Sequence, residues 1–366
     1  MRPAVALLFA TVLFLAAPDP AGAGSQPPVT DPVSGPTASG PDVIAAGAGV
    51  DLVSDVTGYF TNDASGATYV PLAPARLLDT RSGNGLDGMF ASGLPRSVQI
   101  AGRDPVPPEA VAVTVNVTVT AQTSAGYVSV GPTMSSKPST STLNFPRGDN
   151  RANGTTVALD PDGRLAAVFK GSSGARTHLV LDVTGYYVPP PASGATYHPL
   201  APVRLLDTRV GNGLPKAFKS GVVGSFQVTG RGEVPPNGVT AVTGNLTITG
   251  QTSAGYVSLG PAMTANPSTS TLNAPRGDNR ANGVTVKLSG SGSLSAVWKG
   301  SAGSSTHLVF DVTGYFTNDP SGATYVPLNP VRLLDTRVGN GLSGMFASGL
   351  PRSVQIAGRD PVPPEA

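Results

Sequence analysis

A chain of 366 residues is long enough for two or three domains. Its formal charge of +2, from 24 basic and 22 acidic side chains, provides no electrostatic footprint for nucleic acid or for an anionic membrane surface. Gly (46) and Pro (36) fall just short of a disordered composition, and the Val-, Thr- and Leu-rich runs between them argue for folded structure. Cysteine is absent, so in an exported protein each domain must hold by its own core, without disulfides.

The chain opens with Arg2, an uncharged apolar run from Ala4 to Ala17, and the small-x-small triplet Ala21-Gly22-Ala23. This pattern predicts a signal peptide over residues 1–23, cut after Ala23. The apolar run is shorter than the roughly 20 residues of a membrane span. No other stretch is long enough, so an extracellular or cell-surface location is expected, with no membrane span once the signal is removed. Residues 24–41 are rich in Pro, Gly, Ser and Thr without periodicity and read as a linker.

An internal repeat dominates the rest of the chain. Tyr69-Val-Pro-Leu-Ala-Pro-Ala-Arg-Leu-Leu-Asp-Thr-Arg81 returns at Tyr197 to Arg209 and at Tyr325 to Arg337, at a spacing of 128 residues. A closing motif, Asp-Val-Thr-Gly-Tyr followed by Phe or Tyr, stands at Asp55–Phe60, Asp182–Tyr187 and Asp311–Phe316. Residues 69–187 are therefore read as module 1, and 197–316 as module 2. The Pro-rich stretch 188–196 between them is expected to be an extended, semi-rigid spacer. Residues 42–60 read as the C-terminal remnant of one module and 325–366 as the truncated head of a third. Neither flank contains the long central strand that begins at Val111 in module 1. About 40 residues without disulfide or metal rarely fold alone, so both flanks are expected to be poorly ordered or weakly docked.

Within a module the pattern is β throughout. Val111 to Thr120 alternates Val with smaller or polar residues at period two. Further strands are expected at 76–81, 97–100, 126–130, 141–145, 155–159, 165–170 and 177–187, with turns at Gly83-Asn-Gly85 and Asp160-Pro-Asp-Gly163. No segment has convincing helical periodicity. The expected fold class is all-β, as tandem antiparallel β-sandwich modules, with β-barrel modules as the alternative.

Modules opening with Tyr-x-Pro-Leu-x-Pro-x-Arg-Leu-Leu-Asp-Thr-Arg and closing with Asp-Val-Thr-Gly-Tyr-Phe resemble a β-rich repeat of secreted and surface proteins of actinobacteria and similar bacteria. The resemblance covers nearly everything after Pro41. It implies an accessory module that occurs in arrays or beside a hydrolase domain, and it carries over no site residues.

The residues themselves offer few sites. Asp79 and Arg81, and their counterparts Asp207 and Arg209, sit two apart on an expected strand and so share a face, which favours structural ion pairs at a sheet edge or corner. Arg147-Gly-Asp149 and Arg276-Gly-Asp278 suit an ordinary turn better than an adhesion motif. His178 and His307 are equivalent positions in different modules, which disfavours a zinc centre or a catalytic dyad. No nucleophile elbow, phosphate loop or calcium loop appears, so no enzyme activity, metal or cofactor is expected. Tyr127, Tyr256 and Trp298 are the aromatic candidates for stacking on a sugar, weighed against the commoner role of anchoring a core. The expectation is a non-catalytic repeat protein binding or adhering to cell wall, extracellular glycan or another surface. The alternatives are a structural stalk of neighbouring modules and the accessory region of a secreted hydrolase.

Overall fold

The computed structural model describes residues 49–366, together with the backbone of two short strands, β1 (Ala10–Leu15) and β2 (Asp42–Val43). The expected signal peptide and the 24–41 linker lie outside the described residues apart from β1. Next come β3 (Asp51–Thr61) and the module 1 strands β4 (Thr68–Asp79), β5 (Phe90–Ala91), β6 (Arg96–Gln99), β7 (Ala112–Thr120), β8 (Gly126–Gly131), β9 (Leu143–Phe145), β10 (Arg151–Ala158), β11 (Arg164–Gly171) and β12 (Arg176–Val188). Module 2 repeats them as β13 (Thr196–Asp207), β14 (Phe218–Lys219), β15 (Val223–Gln227), β16 (Val239–Thr249), β17 (Gly255–Gly260), β18 (Leu272–Ala274), β19 (Arg280–Lys287), β20 (Ser293–Gly300) and β21 (Ser305–Thr317). The chain ends with β22 (Thr324–Asp335) and β23 (Arg352–Ser353).

The fold is all-β and antiparallel. Each module is a sandwich of two sheets, in the orders β10-β7-β12-β4 and β6-β11-β8-β9 for module 1, and β19-β16-β21-β13 and β15-β20-β17-β18 for module 2. Among the described residues no sheet closes into a barrel. The period-two pattern of β7 sends Val113, Val115, Val117 and Val119 into the module core with Leu181, Val183 and Phe169. Module 2 packs Val242, Leu246 and Ile248 against Phe310 and Trp298 in the same way. Burial of this apolar area drives each sandwich together, which suits a chain without cysteine.

The opposite face of β7 carries Thr114, Asn116 and Thr118, and it is buried too. Module 2 covers it. Asn116 donates to the Ser270 carbonyl at 2.6 Å and accepts from Asn282 at 2.9 Å. Modules therefore pack sheet against neighbour through hydrogen-bonded polar side chains.

The flanks differ from expectation. Rather than hanging loosely, they find each other. β3 pairs with β22, matching Phe60 to Tyr325 and Asp55 to Arg332, as β12 pairs with β4 in module 1. Leu52, Val56, Leu333, Leu334, Phe346, Val354 and Ile356 form a core between them. The backbone of β1 lies along β3 with Thr11 opposite Asp55, the lane that β7 takes beside β12. Each remnant alone lacks half a core, and the closing motif of one joins the opening motif of the other to supply it.

The 188–196 segment is also no spacer. It turns back at once, and Ala195 exchanges two backbone hydrogen bonds with Tyr69, at 2.9 and 2.7 Å. Ala323 does the same with Tyr197, and Ala67 with Tyr325. These three linkages close the modules into a ring with approximate threefold symmetry.

At the centre of the ring lie Tyr69, Tyr197 and Tyr325 from the opening motifs and Phe60, Tyr187 and Phe316 from the closing motifs, all buried. Each closing aromatic packs on the opening tyrosine of a neighbour: Phe60 on Tyr197 at 4.3 Å, Tyr187 on Tyr325 at 4.5 Å, and Phe316 on Tyr69 at 4.5 Å between centroids. Of the adjacent pair Tyr186 and Tyr187, it is Tyr187 that turns into this junction, because consecutive strand residues face opposite ways.

Candidate functional site

The opening motif builds a hydrogen-bonded corner. β4 ends at Asp79, so Arg81 lies in the turn beyond it rather than on the strand. The pairing still forms. Arg81 Nε and Nη2 donate to the two Asp79 oxygens at 2.8 and 2.6 Å, and the Arg81 amide adds a third bond at 3.1 Å. Asp207 and Arg209 repeat this geometry at 2.9 and 2.6 Å, and Asp335 and Arg337 at 2.8 and 2.6 Å. The Arg81 side chain holds the Asp79 carboxyl below the ordinary carboxylate range, and burial opposes it only in part.

A second ion pair links the two motifs and was missed from sequence. Arg76 is bidentate to Asp182 at 2.8 and 3.0 Å. Arg204 with Asp311, and Arg332 with Asp55, do likewise. The recurrence of both motifs in each unit was the available signal, but their sequence separation hid the contact. Asp182 is so deeply buried that its carboxyl is pushed above the usual range despite Arg76.

The remaining motif residues are held in place structurally. Thr80 Oγ1 hydrogen-bonds His178 Nδ1 at 2.9 Å, as Thr208 does His307. Arg147-Gly-Asp149 is a turn with Gly148 at φ 72°, and its Asp149 pairs with Arg151 at 2.7 Å and with Arg280 of module 2 at 2.5 Å. Among the described residues no group of three or more His, Asp or Glu comes together at a metal-binding spacing.

Trp298 is buried in the module 2 core, donating from Nε1 to Ser304 Oγ at 3.1 Å. It is an anchor and offers no surface for stacking. Tyr256 is different. It lines a cleft of about 270 Å³ where modules 1 and 2 meet, with Arg76, Arg81, Thr118, Asn150 and Ser268. Thr118 Oγ1 is buried at this cleft and lacks a hydrogen-bond partner among the described residues. Tyr127 holds the matching position in module 1, opposite Asn144 in the sheet. It lies near the loop whose Ser141 amide donates to Asp55 of the third unit at 3.0 Å. The sequence offered both tyrosines as candidates but gave no sign that a module junction would surround Tyr256.

No family model matches the chain. No curated protein matches it either. Among solved structures, peptide N-glycanase F overlaps 71% of this chain and 100% of its own at 10% identity, with a TM-score of 0.19. The tandem CBM22-1-CBM22-2 domains of Paenibacillus barcinonensis Xyn10C overlap 68% of this chain and 98% of theirs at 12% identity, with a TM-score of 0.16. A Penaeus vannamei nodavirus structure overlaps 79% and 97% at 11% identity, with a TM-score of 0.15. Overlaps this loose carry no argument about function.

Proposed function

We propose that this protein is a non-catalytic binding protein of the cell exterior, taking a glycan of cell-wall or extracellular type in the cleft between modules 1 and 2. The observation that supports this reading is the junction cleft, where a tyrosine, two arginines, two amides and several hydroxyls converge around the Thr118 hydroxyl, which has no hydrogen-bond partner among the described residues. Such a set suits a polyhydroxylated ligand. Hydroxyl, amide and guanidinium groups serve its oxygens, and an aromatic wall suits the C–H face of a sugar ring. An exterior location rests on the N-terminal pattern and on the resemblance of the motifs to secreted repeats. The closed ring weighs against an extended stalk, since successive modules fold back on one another rather than spacing anything apart.

The test is calorimetric titration of the full chain with soluble cell-wall glycan fragments. Saturable binding is expected, weakened about tenfold or more by Tyr256→Ala with the unfolding midpoint retained. The fragments should be recovered uncut. Absence of binding to every fragment, binding indifferent to both Tyr256→Ala and Thr118→Val, or fragment cleavage would overturn the proposal.

A further inference from the structure

The threefold ring is unequal: beyond the smaller sheets of the third unit, one face of module 2 differs from its two counterparts. The Asp182 carboxylate in module 1 accepts the Ser270 amide from the module 2 loop, and Asp55 in the third unit accepts the Ser141 amide from the equivalent loop of module 1. Rotation by one further step would place the loop of the third unit against Asp311 of module 2. Among the described residues nothing arrives there. The consequence is visible in exposure. The side chains of Asp182 and Asp55 are 2% and 5% exposed, whereas Asp311 is 23% exposed and its partner Arg204 48%.

Neighbouring positions agree. Pro74 packs near Gly260 of module 2 and Pro330 near Gly131 of module 1, while the matching Pro202 of module 2 is exposed. Asn116 is buried and bonded to Ser270 and Asn282 across the junction. Its counterpart Asn245 is only half-buried and bonds Thr247 of its own strand at 3.4 Å.

We infer that this open face of module 2, centred on Arg204, Asp311 and Asn245, is a docking surface for polypeptide of the module's own central sequence, the stretch corresponding to Val111–Val188. The inference rests on continuity with two interfaces already formed. The same face of module 1 is covered by such a segment from module 2, and that of the third unit by one from module 1. The docking chemistry is therefore specified. A backbone N–H from a Ser-Thr loop serves the carboxylate, a strand amide pairs with Asn245, and a small residue seats Pro202. Because exposed ion pairs are screened and desolvated ones are not, covering Arg204 and Asp311 also strengthens their bidentate pairing.

The chain can be extended without inventing a junction, since Gly344–Ala366 repeats Gly88–Ala110 residue for residue. The experiment appends the Val111–Val188 sequence after Ala366, with its first strand taking the lane of β1 beside β3. The parent has no cysteine, so Asn245→Cys provides a single thiol on the face, with Val210→Cys as an exposed control. In the extended chain, thiol labelling at position 245 should slow about tenfold or more, while labelling at 210 stays unchanged. Asp311→Ala should then lower the denaturation midpoint as much as Asp182→Ala, and in the parent it should lower it less than Asp182→Ala. Equal labelling at 245 in both chains would overturn the inference. So would an extended chain with no more β-sheet signal than the parent. Protection of the parent that rises with its own concentration would assign the face to a second copy instead.

Discussion

Tyr69 lies against Gly185, with its hydroxyl filling the space that a Cβ on that glycine would need. The same relationship joins Tyr197 to Gly314 and Tyr325 to Gly58. Each tyrosine Oη passes beyond the glycine to a backbone carbonyl: Tyr69 to Thr184 at 3.1 Å, Tyr197 to Thr313 at 3.3 Å, and Tyr325 to Thr57 at 3.0 Å. The first residue of the opening motif and the glycine of the closing motif are thus one device. A side chain at the glycine would evict the ring that anchors the module to its neighbours.

Gly185→Ala should therefore destabilise the protein by about 1–3 kcal/mol or more, because a ring buried on all sides cannot retreat. Gly283→Ala is the control, since a Cβ there meets nothing within 4 Å and its φ lies outside the left-handed region. Chemical denaturation of both variants checks this, and equal midpoints would show that the tyrosine ring shifts freely.

Asp79→Ala removes the acceptor of both Arg81 and Arg76 at a buried corner. The expected loss is about 1–3 kcal/mol. An unchanged midpoint would identify Asp79 as a solvated surface group.

Stability should fall on acidification. Asp79, Asp207 and Asp335 all hold protons less tightly when folded, chiefly because an arginine side chain hydrogen-bonds each carboxylate. Their stabilisation is present above the unfolded carboxyl value of about 4 and is lost as pH falls through the folded values. Asp182 has the opposite sign, since burial raises its folded value and its contribution is lost as pH rises through it. Asp63 and Asp319, whose carboxyls accept serine hydrogen bonds, are lowered as well, so five groups act against one, urea midpoints should drop between pH 5 and 3, and Asp79→Asn should flatten the drop. A profile that rises on acidification would contradict the assignment.

A protease nick in the exposed 62–65 loop should not release the strand before it. Asp51–Thr61 is held by its pairing with Thr324–Asp335 and by the core around Leu52 and Val56. The expected result is co-elution of the nicked pieces under native conditions and separation in denaturant. Rapid loss of Tyr325–Ala366 after the nick would restore the picture of loose flanks.

Tyr187→Phe should be neutral or slightly stabilising. Its hydroxyl is buried beside the Thr156 side chain without a well-formed hydrogen bond among the described residues, and the equivalent positions 60 and 316 are already Phe. The cost of burying an unpaired hydroxyl is about 1–3 kcal/mol. A lower midpoint for the variant would indicate a partner for the hydroxyl.

Much of a module was legible along the chain. The alternation from Val111 to Thr120 marks β7 and the residues it sends inward, and the strand expected at 177–187 appears as Arg176–Val188. These signals are local: side chains alternate across a strand whatever surrounds it. The pairing of Asp79 with Arg81 was also within reach, because two residues apart in sequence remain close at a strand end.

What tertiary structure alone decided is how modules meet. Thr114, Asn116 and Thr118 are polar positions of the β7 alternation, yet they are buried where module 2 meets module 1, and nothing within β7 distinguishes that outcome from a solvated face. The bidentate pair of Arg76 with Asp182, the cleft around Tyr256 and the union of β3 with β22 all join residues far apart in the chain. Periodicity reports which side of a strand is apolar. It does not report which distant polar surface offers matching donors and acceptors, and here that matching closes the ring.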